Sequence, residues 1–185
     1  MADVYDVADF FVEMGKCDEN DTVTNLRINK LIYFAQALCL AEFNKALFDD
    51  EVHAWKLGPV VPCIYQKYRS FGKDNIADTS DGFDMERFTS DELDILMFVY
   101  RYYGKFSTTE LVNISHKDGS PWDRIYKEDT DSIISKEDMK AYYSKHNPYR
   151  SFKTPEKFYD DALPIQRDKD GILILPGSWS DGDTD

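Results

Sequence analysis

The sequence predicts a mainly helical fold, a single compact domain of about six to seven helices with a short extended segment near residues 51–57. Apolar residues recur at helical spacing over most of residues 1–146, and several segments begin with strong helix caps. From residue 147 onward, repeated prolines discourage long helices, although residues 172–175 (ILIL) could add a short strand. We therefore expect a helical domain at 1–146 and a C-terminal extension or arm at 147–185.

The first helix is expected at residues 4–14, where Val4, Val7, Phe11 and Met14 share one face and Gly15 can end it. A second helix follows, capped by Thr24 and running to about residue 43. This helix is apolar nearly all round, which is typical of a buried central element. It is therefore the expected spine of the domain.

Later helix starts carry recognisable cap pairs. Thr89 with Glu92, and Ser107 with Glu110, have the spacing of capping boxes, in which side chain and backbone satisfy each other reciprocally. Further starts with the same cap chemistry are predicted at Ser120 and Ser135. Polar loops are expected at 16–23 and 71–88, and residues 178–185 form a polar, acidic end.

Charge and cysteine content restrict the class of function. The formal net charge is −13, with 35 acids against 22 bases, which disfavours general nucleic-acid binding and favours a cationic protein partner. The three cysteines form no CxxC pair. No signal peptide and no apolar run of membrane-spanning length is apparent, so we expect a cytoplasmic protein without membrane association.

Residues 54–62 (AWKLGPVVP) are the most distinctive segment. Gly58 permits a backbone conformation that other residues avoid, and Pro59 suits the first position of a third helix running to about residue 70. Trp55 offers a large surface to bury. We expect a rigid corner that docks on the second helix, with Lys56 facing a partner.

Catalytic constellations are not apparent. The histidines, His53, His116 and His146, have no partner at a metal-ligand spacing such as HExxH. Cys63 lies near His53 in sequence, but nothing marks a third orienting group or an oxyanion site. We expect no enzyme, no cofactor and no metal; a hydrolase or nuclease using His53, Cys63 or His116 is the alternative.

Residues 89–103 and 107–116 have the outline of a helix-turn-helix. The second of these segments lacks arginine and carries Glu110, whereas recognition helices present Arg, Lys, Asn or Gln to base edges. Asn113 is the lone candidate. Structural pairing of the two helices is favoured, and a DNA-binding repressor is kept as an alternative.

Segments 7–11 (VADFF), 24–36 (TNLRINKLIYFAQ) and 54–62 occur in this order, together with Tyr65, His116, Pro121 and Trp122. This ordered set resembles the Panacea antitoxin domain family, which includes SocA-like proteins and the phage-associated GepA proteins. The resemblance covers roughly residues 4–145.

The resemblance implies an antitoxin of a toxin–antitoxin system, as found in prophages, whose partner is a protein toxin usually encoded by an adjacent gene. Direct binding of the toxin is the first mechanism implied, and an adaptor that delivers the toxin to the ClpXP protease is the second. We predict a partner-binding set at the second helix and the corner, namely Lys30, Tyr33, Trp55, Lys56, Gly58, Pro59 and Val60. We predict a structural role for His116, Pro121 and Trp122.

Overall fold

A computed structural model of the chain describes residues 1–16, 23–76, 84–128, 130–152, 166–167 and 173–174. Residues 17–22 of the loop expected at 16–23, residues 77–83 of the loop expected at 71–88, and the acidic end expected at 178–185 lie outside these residues. The chain divides into two units, Met1–Asn147 and Pro148–Asp185.

Helices dominate the first unit, and the mainly helical prediction is confirmed. Its helices are α1 (Val4–Lys16), α2 (Asn25–Phe43), α3 (Pro62–Lys67), α4 (Ser90–Tyr103), α5 (Thr108–Ser115), α6 (Pro121–Ile125) and α7 (Lys136–Tyr143). In the second unit, α8 (Pro148–Phe152) precedes two short antiparallel strands, β4 (Gln166–Arg167) and β5 (Leu173–Ile174), the latter within the segment expected to form a strand.

Local cap chemistry explains where several helices begin. Thr24 accepts the backbone N–H of Arg27 at the start of α2, and both expected capping boxes are formed at α4 and α5. The side chains of Ser120 and Ser135 likewise accept N–H groups at the starts of α6 and α7. Each such cap stabilises its helix by about 1 kcal/mol.

A small antiparallel sheet interrupts the helices in the order β2-β1-β3. It consists of β1 (Val52–Trp55), β2 (Gly58–Val60) and β3 (Ser132–Ile134). The extended segment expected near 51–57 corresponds to β1. The expectation that Pro59 begins a helix is wrong: Pro59 pairs with Ala54 in β2, and α3 begins at Pro62. Pro59 is tolerated there because β2 is an edge strand of this sheet.

Helix α2 forms the spine of the first unit, because α1, α4, α5, α7 and β2 all pack on it. Its side chains are buried on every face. Phe34 stacks on Tyr103 of α4 with ring centroids 4.1 Å apart, and Tyr33 meets Tyr143 of α7 edge to face at 5.9 Å. Burying one such large apolar side chain contributes about 1.5–3 kcal/mol.

The polar residues of α2 bind the backbones of surrounding segments. Arg27 donates to the carbonyls of Gly104 and Phe106, in the turn between α4 and α5, at 2.7 and 2.6 Å. Gln36 donates to the carbonyl of Phe48 at 2.8 Å and accepts its N–H at 3.3 Å. Buried polar groups need such partners, so these bonds fix where each segment crosses the spine.

Two further observations concern membranes and metal ions. Among the described residues, no helix has the length and apolar character needed to cross a membrane. Within the same part of the chain, no group of three or more His, Cys, Asp and Glu side chains is arranged to hold a metal ion.

Candidate partner-binding site at the β1–β2 hairpin

The distinctive corner is a tight β-hairpin. Trp55 pairs with Gly58, so Lys56 and Leu57 alone form the turn between β1 and β2. Both turn residues are exposed, and Leu57 retains 55% of its accessible surface. Gly58 has φ of 99°, in the region that favours glycine. The hairpin thus presents a short, conformationally restricted tip to solvent.

Lys30 lies beneath this hairpin. Its side chain is fully buried, and Nζ donates a hydrogen bond to the carbonyl of Pro59 at 2.7 Å. A Cβ added to Gly58 would lie 2.8 Å from Lys30 Cε and 2.8 Å from Ser115 Oγ. The hairpin therefore approaches α2 and α5 as closely as a glycine allows. Burial lowers the pKa of Lys30 to about 7, because desolvation penalises its charged form.

The structure separates the predicted partner-binding residues into exposed and buried groups. Lys30 and the hairpin are brought together, as expected of a corner that packs on the second helix. Tyr33 is fully buried and packs against Tyr143, and Gly58, Pro59 and Val60 are buried as well. Of the set, Trp55 is half-buried and Lys56 is exposed. In this arrangement the buried residues would influence a partner only indirectly.

Trp55 is fixed by contacts on three sides. Its backbone carbonyl accepts the indole N–H of Trp122 at 2.8 Å. Its own indole N–H donates to Asp131 Oδ1 at 2.8 Å, and its ring meets Tyr65 edge to face at 5.0 Å. These contacts restrain both the backbone and the side chain of the last residue before the turn.

An aromatic stack supports the hairpin through Trp122. The rings of His116 and Trp122 are stacked at 3.5 Å and 5°, and Tyr126 continues the stack at 4.5 Å. Pro121 opens α6 at its first turn, where a proline costs no hydrogen bond. Burial, and then the nearby Lys30 in its protonated form, lower the pKa of His116, which favours its neutral form.

His53 faces two carboxylates rather than a thiol. Its Nδ1 lies 2.7 Å from Asp131 Oδ1, and its Nε2 lies 3.4 Å from Glu51 Oε2. The Cys63 thiol instead donates to Asp50 Oδ1 at 3.4 Å, and burial, followed by Asp50, raises its pKa. A raised pKa lowers the thiolate fraction, so this arrangement does not activate Cys63 as a nucleophile.

Asp131 and Ile133 are parts of this site that sequence reasoning missed. Ile133 of β3 pairs with His53 of β1 and retains 46% of its accessible surface. The strand that carries it has only three residues, which is too short for a period-two pattern to predict it. The adjacent β-branched residues Ile133 and Ile134 before the Ser135 cap were the available signal.

Comparison with known proteins identifies the family of this chain. Residues 28–123, about half of the chain, match the family described as "Antitoxin SocA-like, Panacea domain", a span that runs from α2 through the hairpin to α6. The chain therefore belongs to the SocA-like Panacea domain family.

One relative in this family is Antitoxin SocA of Caulobacter vibrioides (strain NA1000 / CB15N). It is 31% identical to this chain over 112 residues, which cover 56% of this chain and 60% of the relative. The chain thus spans less than two thirds of that protein. No solved structure matches the chain.

Proposed function

We propose that this protein is a cytoplasmic antitoxin that neutralises a cognate protein toxin, encoded by an adjacent gene, by direct binding and without catalysis. Membership of the SocA-like Panacea family and the likeness to a protein named an antitoxin support the antitoxin role. The contact surface that we propose is the hairpin tip together with the outer face of the small sheet, termed here the sheet face: His53, Trp55, Leu57 and Ile133.

Exposed apolar side chains on a rigid hairpin are the observation that carries this proposal. Val52 and Ala54 point into the core, so the alternate residues His53 and Trp55 face outward. Ile133, paired with His53, lies on the same outward face, and Leu57 stands at the adjacent tip. Leu57 and Ile133 are 55% and 46% exposed, and apolar exposure beside a tryptophan is typical of protein interfaces.

The hairpin is prepared for binding by the groups beneath it. The Lys30–Pro59 and Trp122–Trp55 hydrogen bonds hold both strands from the buried side. Little conformational freedom then remains to be lost when a partner binds, and this loss is a main cost of association. Of the sequence-predicted set, we assign direct contact to Trp55 and Lys56 and assign support of the hairpin to Lys30, Gly58 and Pro59.

The test is a binding and growth experiment with the product of the adjacent gene. The wild-type protein should form a stable complex with it and restore growth on co-expression. Leu57→Glu should weaken binding at least about tenfold, because it places a charge in an apolar contact. Met85→Glu is the matched control, since Met85 is 54% exposed and lies outside the sheet. No complex and no rescue by the wild type would refute the proposal.

Two further arms of this experiment distinguish direct neutralisation from a protease adaptor and locate the contact surface. Rescue that is unchanged in cells lacking ClpXP supports direct neutralisation, whereas rescue that requires the protease identifies an adaptor. A chain ending at residue 147 that still neutralises fully would place the contact surface in the unit Met1–Asn147. Loss of rescue in a truncated chain that stays folded would place it in residues 148–185.

A further inference from the structure

Two exposed carboxylates flank the sheet face. Glu51 and Asp131 approach opposite ring nitrogens of His53, and their side chains are 64% and 67% exposed, against 13% for His53. The two acids therefore stand on either side of a nearly covered imidazole ring. They lie beside the apolar residues proposed to meet the toxin.

Asp131 is oriented by its neighbours. Both the His53 and the Trp55 hydrogen bonds end on its Oδ1, so Oδ2 is open to a further donor. These two bonds, with His53 first, lower the pKa of Asp131 and keep it ionised at neutral pH. The position of the carboxylate is thus set by the same tryptophan that forms part of the sheet face.

The charges of Glu51 and Asp131 restrict which kind of partner segment can cover the sheet face. An acidic segment, or a neutral one that offers no hydrogen-bond donors, would desolvate two carboxylates without pairing them, and such burial is strongly unfavourable. A cation would pair with them and could also lie over the Trp55 ring. The formal net charge of −13 attracts cationic segments at long range, although Lys56 at the tip is a local positive charge.

We propose that the toxin places an arginine over the covered His53 ring, where its guanidinium bridges the exposed carboxylates of Glu51 and Asp131, with apolar neighbours of that arginine covering Leu57 and Ile133. The inference rests on the proposed antitoxin function and names the chemistry of the partner at the same surface. Arginine fits better than lysine because its planar guanidinium binds carboxylates in a bidentate manner and stacks on aromatic rings.

The decisive variant is the double substitution Glu51→Gln/Asp131→Asn. Both changes keep the shape of the side chain, and the amide oxygen of an asparagine can still accept the Trp55 and His53 bonds, so only the charges are removed. Binding to the purified adjacent-gene product should weaken by about tenfold or more, mainly through slower association, and should depend less on ionic strength between about 50 and about 300 mM salt.

The matched control is Asp74→Asn/Asp118→Asn, which changes the net charge equally at exposed positions outside the sheet. If the control weakens binding as much as the double variant, the effect is that of net charge alone and the inference is overturned. Unchanged affinity and salt dependence in Glu51→Gln/Asp131→Asn would overturn it as well. Thermal unfolding at the same midpoint temperature as the wild type verifies that both double variants are folded.

A second measurement locates the cation on the partner. Each arginine and lysine of the toxin is replaced by glutamine, and affinity is measured with the wild type and with Glu51→Gln/Asp131→Asn. Replacement of one particular arginine should weaken toxin binding to the wild type about tenfold. The same replacement should weaken toxin binding to the double variant little further. If no substitution is coupled in this way, the inference fails; if the wild type binds no toxin at all, the proposed function fails instead.

Discussion

Lys30 of α2 donates a hydrogen bond from its buried Nζ to the carbonyl of Pro59 in β2, at 2.7 Å. Among the described residues this lysine has no ion pair, and its side chain is fully buried. A buried charge without a counter-charge is costly, whereas a neutral amine can donate the same bond. The contact that joins the spine helix to the hairpin is therefore compatible with an uncharged lysine.

The ionisation of Lys30 predicts a pH-dependent stability. Its pKa is about 7 in the folded chain and about 10.4 in an unfolded chain. Between these values the unfolded chain holds the extra proton, so the free energy of unfolding rises with pH, by up to about 1.4 kcal/mol per unit. Below the folded pKa both states are protonated and this contribution no longer changes with pH.

Lys30→Met should abolish this positive slope, because methionine fills a similar space without a titrating group. The measurement is urea unfolding of wild type and variant from about pH 6 to about pH 9. Lys56→Met, which removes an exposed lysine from the hairpin tip, should leave the slope as in the wild type. Equal slopes for wild type and Lys30→Met would show that Lys30 does not titrate in this range.

Gly58→Ala should destabilise the protein by about 2–4 kcal/mol. The new Cβ would be strained by the φ of 99° and would lie 2.8 Å from atoms of Lys30 and Ser115. Gly119→Ala is the matched control, since its φ is 74° but no atom lies within 4 Å of the added Cβ. The control should lose only about 1 kcal/mol in denaturant unfolding. Equal losses in the two variants would contradict the close approach of the hairpin to α2.

The helix starts could be predicted from the sequence because their causes are local. The capping boxes of Thr89 with Glu92 and of Ser107 with Glu110 involve residues three positions apart, and the structure forms both. The burial of α2 followed in the same way from its apolar composition on all faces. In each case the residues that decide the structure are neighbours in sequence.

The sheet could not be predicted in full because its causes are distant in sequence. His53 of β1 pairs with Ile133 of β3 and bonds to Asp131, and none of these long-range contacts leaves a periodic pattern. Proline is typical of the first position of a helix, yet Pro59 lies in a strand because β1 pairs with β2. Lys30 was predicted to belong to the partner-binding set, and its complete burial could not be predicted because lysine is seldom fully buried.

Removal of the charge of Asp9 in α1 should reduce stability much more than removal of the charge of Asp6 in the same helix. Asp9 is 3% exposed and accepts hydrogen bonds from Lys67 Nζ at 3.0 Å and from the Tyr68 hydroxyl at 2.9 Å. Asp9→Asn should cost about 2–3 kcal/mol, because it leaves a largely buried ammonium group without its counter-charge. Asp6→Asn removes a more exposed pair with Arg87 and should cost less than about 1 kcal/mol. Equal midpoints in urea for the two variants would contradict this ranking.

Trp122 and Trp55 each donate one indole hydrogen bond, and the two bonds should have different consequences. Trp122→Phe leaves the carbonyl of Trp55 without its 2.8 Å donor and shortens the stack between His116 and Tyr126. Because Trp122 is only 8% exposed, we expect a loss of about 2–3 kcal/mol. Trp55→Phe removes a bond to the exposed Asp131 and should cost less than about 1 kcal/mol.

If Trp55 contacts the toxin, the two variants should rank in the opposite order for loss of toxin binding and for loss of stability. At a temperature at which both variants are fully folded, Trp55→Phe should weaken toxin binding more than Trp122→Phe, because phenylalanine has a smaller ring and lacks the N–H that orients Asp131. Calorimetric titration with the adjacent-gene product, beside urea unfolding of the same preparations, separates the two effects. If Trp122→Phe reduced both stability and toxin affinity more than Trp55→Phe, Trp55 would be a structural residue of the hairpin. The contact surface would then have to lie elsewhere.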